Sequence, residues 1–180
     1  MADPYRDSLV GELETNRSVT RDVVSEQTPG FGSEASGYLK SQLDRMGIPE
    51  DERAGMGQNI YDFARKSRFI ESSDNPMAEP STSTAKGYYQ FTDPSVSTAF
   101  NRYRNTTGDS EWGGLNLNPQ EWSEDESDMM FLANMFGQSG SDDYMKAIGG
   151  GDRDAMKGAY SLYHHTDPDE ATYKRMEEYF

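Results

Sequence analysis

Hydrophobic positions along the chain recur mainly at three- and four-residue intervals, and the elements they predict are helices. The clearest stripe runs from about Gly57 to Glu71, with Ile60, Phe63, Ala64, Ser67 and Ile70 on one face. Glu71 lies eleven positions beyond Ile60, about three full turns, so a carboxylate closes an otherwise apolar stripe. SSDNP then ends the helix, because Pro76 cannot continue it. Shorter helices are predicted over residues 38–46, closed by Gly47, and over 95–104, after Asp93-Pro94. Three later stripes follow: Met129, Leu132, Ala133 and Phe136; Ala155, Met156, Ala159, Tyr160 and Tyr163; and Thr172, Met176 and Tyr179. The last helix opens with Asp167 as cap, Pro168 at its first position and Asp169 and Glu170 in its first turn. No alternating strand of useful length and no internal repeat is found, so the expected fold class is mostly α.

Polar stretches divide this pattern. Residues 1–49 read as an N-terminal extended arm and linker carrying one short helix, with PGFGSEASG at 29–37 as its Gly/Ser-rich part. Residues 50–180 then form the helical domain. Residues 105–125, with Trp112 and Trp122, read as irregular, and the acidic runs at 123–128 and 142–143 read as solvated faces.

Charge and composition narrow the function. The chain has 17 Lys and Arg against 32 Asp and Glu, a formal net charge of −15, which argues against a nucleic-acid partner. There is no Cys, so disulfides, thiolate metal sites and cysteine nucleophiles are all excluded. No apolar run reaches the roughly 18 residues of a membrane span, and no basic segment followed by an apolar one opens the chain. His164 and His165 are adjacent, unlike the i, i+4 pair of a zinc protease, and DRDAMKG at 152–158 lacks the ligands of a calcium loop. Neither a metal nor an organic cofactor is expected.

The informative stretch is FIESSDNPMAEPSTSTAKGYYQFTDPS, residues 69–95. It contains a helix ending in Glu71-Ser72, an Asn75-Pro76 turn and the segment Gly87-Tyr88-Tyr89-Gln90-Phe91, in that order. This ordered set resembles the catalytic segment of soluble lytic transglycosylases and goose-type lysozymes, with a loop one residue longer than the family's commonest spacing. The resemblance implies a lysozyme-like domain that cleaves the MurNAc–GlcNAc β-1,4 bond of peptidoglycan. It makes Glu71 the single acid and base and yields 1,6-anhydro ends. An ordinary Glu ionises near 4.3, so such an acid needs an apolar surround, which Ile70 and the Tyr88, Tyr89 and Phe91 cluster offer.

By the same resemblance, Ser72 orients Glu71 or binds near the substrate, Gly87 lets backbone approach the glycan, and Tyr88 and Gln90 line the sugar cleft. The family also directs a late-helix tyrosine hydroxyl at the Glu. Tyr160 and Tyr163 are the candidates here, and Tyr163 is preferred because HHTDP after it begins a turn. A hydrolytic muramidase is the alternative enzyme and needs a second carboxylate, for which Asp74, Glu79, Asp93 and Asp109 are near in sequence. A catalytically silent virion protein is the third reading. Similar domains ride in tailed-phage particles and open the wall during DNA entry. The expected location is therefore the virion, with other virion proteins as partners through the N-terminal arm.

Overall fold

The computed structural model describes residues 30–81, 83–108, 117–164 and 170–180, with Tyr163 and His164 described by their backbone alone. Seven α-helices account for most of the described residues: α1 (Ser33–Arg45), α2 (Glu50–Ser72), α3 (Asp93–Thr107), α4 (Glu124–Phe136), α5 (Ser141–Gly149), α6 (Arg153–Ala159) and α7 (Glu170–Tyr179). The fold is mostly α. A single isolated bridge between Lys86 and Phe91 is the only β pairing among them. No described helix is long and apolar enough to cross a membrane.

Helix α4 is the centre of the molecule. Ser123 and Glu126 close a reciprocal capping box at its start, and every residue from Ser127 to Phe136 is buried. A helix apolar on all sides requires cover on all sides. α1 and α3 pack directly on α4, and α2 reaches it while crossing α5 and meeting α7. α2 begins with Glu50, Asp51 and Glu52, which complement the positive end of the helix dipole, and its buried stripe includes Ile60, Phe63, Ala64, Ser67 and Ile70.

Three expectations need correcting. The segment 30–37 is not linker: Phe31, Ala35 and Ser36 are buried, and α1 adds Tyr38, Leu39 and Leu43 to the core. The folded unit thus includes α1 rather than starting at residue 50, and the residues of the arm before 30 lie outside the described part. Helix α5 was hidden in sequence by its Gly-rich borders, Gly140 at one end and Gly149–Gly150 at the other. The acidic runs are not merely solvated faces. Glu126 caps α4, Glu124 pairs with Arg68, Asp128 is buried, and Asp142 pairs with Arg45 at 2.6 Å.

Asp125 shows why α1 belongs to the domain. The residue at the start of α1 is Gly32, which has no side chain to cap it. The Asp125 carboxylate of α4 accepts instead from the backbone N–H of Glu34 and of Ala35, both at 2.9 Å. A Cβ on Gly32 would lie 2.3 Å from the Asp125 carboxyl carbon, so glycine is required for the approach. Replacing a helix cap costs about 1–2 kcal/mol. Asp125→Ala should therefore lower the unfolding free energy by that amount, read as a lower urea midpoint at unchanged slope, and an unmoved midpoint would contradict the cross-helix cap.

Candidate functional site

The site is built where α2 ends. Helix α2 carries its stripe through Ile70, which is fully buried, and stops at Ser73, a left-handed residue at φ 54° whose N–H donates to Phe69 O. Asp74 follows at φ 63°, and Gln90 stands at φ 50°. These are the only non-glycine residues with positive φ among the described ones, and all three lie in the stretch that follows Glu71. Each costs about 1 kcal/mol relative to ordinary backbone, so the surrounding contacts must hold the turn in place.

Those contacts are specific. Ser72 Oγ donates toward Tyr88 O at 2.8 Å and Arg68 O at 3.1 Å, and it accepts from the Asn75 N–H at 3.2 Å. The Gln90 side-chain amide donates to Gly87 O at 2.8 Å and Ala78 O at 3.1 Å. Lys86 and Phe91 exchange backbone hydrogen bonds at 3.0 Å, which closes the turn between them. Gly87 adopts φ +77°, and a Cβ there would sit 2.8 Å from Pro119 O.

These contacts give three residues of the resemblance-bearing segment structural work. Ser72 ties the helix end to the aromatic segment through Tyr88 O and Arg68 O. Gln90 clamps the loop with its own amide. Gly87 is needed because its backbone is left-handed and Pro119 lies against it, so the close approach is protein on protein. Tyr88 is half-buried, whereas Tyr89 and Phe91 belong to the core, at 1% and 2% exposure.

Glu71 itself is half-buried, and its carboxylate accepts a hydrogen bond from the Tyr160 hydroxyl. Tyr163 was the preferred partner in sequence. The structure assigns the contact to Tyr160, the fully buried residue at which α6 passes into the π-helical turn Tyr160–His164. Tyr160 continues the face of Met156 one turn on, so its position on the apolar stripe was the available signal. Widened turns of this kind often occur at functional sites. Burial, then the adjacent Glu71 carboxylate, pushes the Tyr160 hydroxyl well above its ordinary range. It therefore stays a donor at any working pH.

Rings connect the two sides of the site. Tyr89 stacks on Phe131 at 4.3 Å, Phe131 meets Phe63 at 5.6 Å, and Phe180 lies 5.6 Å from both Phe63 and Tyr160.

Beside this pair lies a buried ionic group that sequence reasoning missed. Arg68, at 1% exposure, reaches Asp74 at 2.7 Å, Glu124 at 2.9 Å and Asp128 at 3.3 Å. Its guanidinium also sits 4.6 Å from the Tyr88 ring centroid. Burial opposes the Arg68 charge, but Tyr89, Asp128 and Glu124 outweigh it and hold the group above its usual range. The signal in sequence was a cation one turn before Glu71 and next to the apolar stripe, with acids in the next loop and on α4.

Asp128 is 2% exposed and accepts from the Tyr89 hydroxyl at 2.6 Å. Burial pushes its carboxyl up to about 6, against the lowering effects of Tyr89 and Arg68. A carboxyl raised on folding binds its proton more tightly in the native state, so stability increases as pH falls through 6 and that gain is lost as pH rises again. The parent should gain about 1 kcal/mol between pH 7.5 and pH 5. Asp128→Asn should flatten that dependence in urea titrations, and an equally steep dependence in the variant would exclude Asp128 as the source.

An open depression of about 450 Å³ lies elsewhere, lined by Arg45, Phe136 and Asp142 among others and by none of the residues around Glu71. No family model, no curated protein and no solved structure matches the chain.

Proposed function

We propose that the chain is a peptidoglycan lytic transglycosylase in which Glu71 is both acid and base. The observation that carries this reading is the pairing of Glu71, at the end of a buried helical stripe, with the hydroxyl of Tyr160. In its acid form Glu71 donates its proton to the glycosidic oxygen as the bond from C1 to that oxygen breaks. The resulting carboxylate takes the proton of the MurNAc C6 hydroxyl while O6 bonds to C1. Glu71 is thereby reprotonated, no water is consumed, and the products are a 1,6-anhydro end and a free 4-hydroxyl. Between the two transfers Tyr160 donates to the carboxylate and steadies its charge.

The carboxylates near in sequence support the single-Glu route over hydrolysis. Asp74 is held by Arg68 at 2.7 Å and Arg65 at 3.7 Å, and Glu79 lies 3.7 Å from Lys86. Asp93 is spent in the first turn of α3. Asp109 lies outside the described residues. The left-handed backbone at Ser73 and Asp74, directly after Glu71, also supports a site, since such strain persists where function requires the geometry.

Incubation of purified sacculi with the protein should release soluble glycan fragments, and sacculi left intact under all conditions would rule the proposal out. The proposal extends to a virion enzyme that opens the wall during DNA entry and docks on other virion proteins through its N-terminal arm. Purified particles should then contain the chain at fixed stoichiometry. The informative deletion removes residues 1–29, because Phe31 and Ala35 belong to the core. That deletion should cost incorporation and spare activity in solution, and normal incorporation would exclude the arm as the docking element.

A further inference from the structure

We propose that Arg68 is a positioning residue for Glu71, setting the place of its carboxyl relative to the aromatic segment. The inference rests on the reading that Glu71 is the reacting group. Residues three apart on a helix are neighbours, so Arg68 lies one turn before Glu71 on the same side. The last turn of a helix has unpaired carbonyls and frays unless something fixes it. Here one side chain does so from several directions.

The Arg68 guanidinium crosses to Asp74 in the left-handed turn after Glu71, and it joins Glu124 and Asp128 on α4. It also lies against the Tyr88 ring, while Tyr89 next in sequence donates to the same Asp128. Its backbone carbonyl receives Ser72 Oγ, which also reaches Tyr88 O. The helix, the turn after it, the Gly87–Phe91 segment and α4 therefore share one buried cation. As a source of stability this arrangement is weak, because well-packed apolar groups commonly do as well as a buried ion pair. As a source of orientation it is strong. The planar fork of arginine can meet several acceptors at fixed angles, and a lysine ammonium cannot reproduce that fork.

The test compares Arg68→Lys, Arg68→Met and Asp74→Asn with the parent, using only variants whose far-UV circular dichroism matches it. For the Arg68 variants, turnover on sacculi should fall about 10²-fold, as expected when a reacting group is misplaced by around an ångström, with KM changed far less. Asp74→Asn alters the half-exposed end of the network and should fall about tenfold, which keeps the test available if the Arg68 variants do not fold. A second readout does not depend on turnover. The Tyr160 hydroxyl proton donated to Glu71 should give a downfield proton resonance, assigned by its loss in Tyr160→Phe, and should shift or broaden in the Arg68 and Asp74 variants. Parent turnover together with an unmoved resonance in the folded variants would overturn the positioning role. A parent that cleaves nothing but whose resonance moves in the variants would sink the enzymatic reading and leave the coupling of Arg68 to Glu71 standing.

Discussion

Glu71→Gln is expected to lower cleavage of purified peptidoglycan by at least about 10²–10⁴-fold, the range associated with loss of a general acid. The change keeps the length and shape of the side chain and leaves an oxygen to accept from the Tyr160 hydroxyl, so the local packing survives. What it removes is the proton that must reach the glycosidic oxygen and the carboxylate that must take one back from C6. Both transfers pass through the same group, so no partial route remains. The thermal midpoint should stay near that of the parent, since Glu71 is half-buried and engaged at the edge of the core. A folded variant that digests sacculi at the parent rate would remove Glu71 from the chemistry.

Tyr160→Phe is expected to have the next largest effect. A hydrogen bond to a charged group contributes about 1.5–3 kcal/mol, equivalent to about 10–10²-fold in rate when it acts on the reacting carboxylate. The ring should remain packed on Phe180, so the fold is retained while the donor is lost. Turnover should fall with KM little changed. Unchanged turnover in a folded Tyr160→Phe protein would mean that the contact is structural.

Much of the fold could be read in the sequence where a stripe was long and one-sided. The α2 stripe showed both the helix and the acid that closes it. The α6 stripe brought Tyr160 into view but left Tyr163 as a rival, because both continue the same pattern and a π-helical widening leaves no mark in spacing. Segment 30–37 was misread for a different reason. Its glycines and serines look like linker locally, yet Gly32 is small because the Asp125 carboxylate occupies the space where a Cβ would be. That constraint comes from a residue 93 positions away, and composition cannot report it. The same holds for the acids of α4. Asp125 and Asp128 look like a solvated face until α1 and Arg68 are brought against them. Within the resemblance-bearing segment, residue types were legible and their contacts within the protein were not. Gln90 and Gly87 shape the loop, through the Ala78 carbonyl and against Pro119, and neither contact leaves a mark in spacing.

The central claim is that one carboxyl serves as acid and then base, with the substrate's own C6 hydroxyl as nucleophile. Mass spectrometry of the glycan ends released from purified peptidoglycan tests it most directly, with the Glu71→Gln protein as the blank. The account predicts 1,6-anhydro-MurNAc ends, lighter than reducing ends by one water, with no incorporation of ¹⁸O when digestion is run in labelled water. Reducing MurNAc ends carrying the label would contradict it and would require a second carboxylate or another means of activating water.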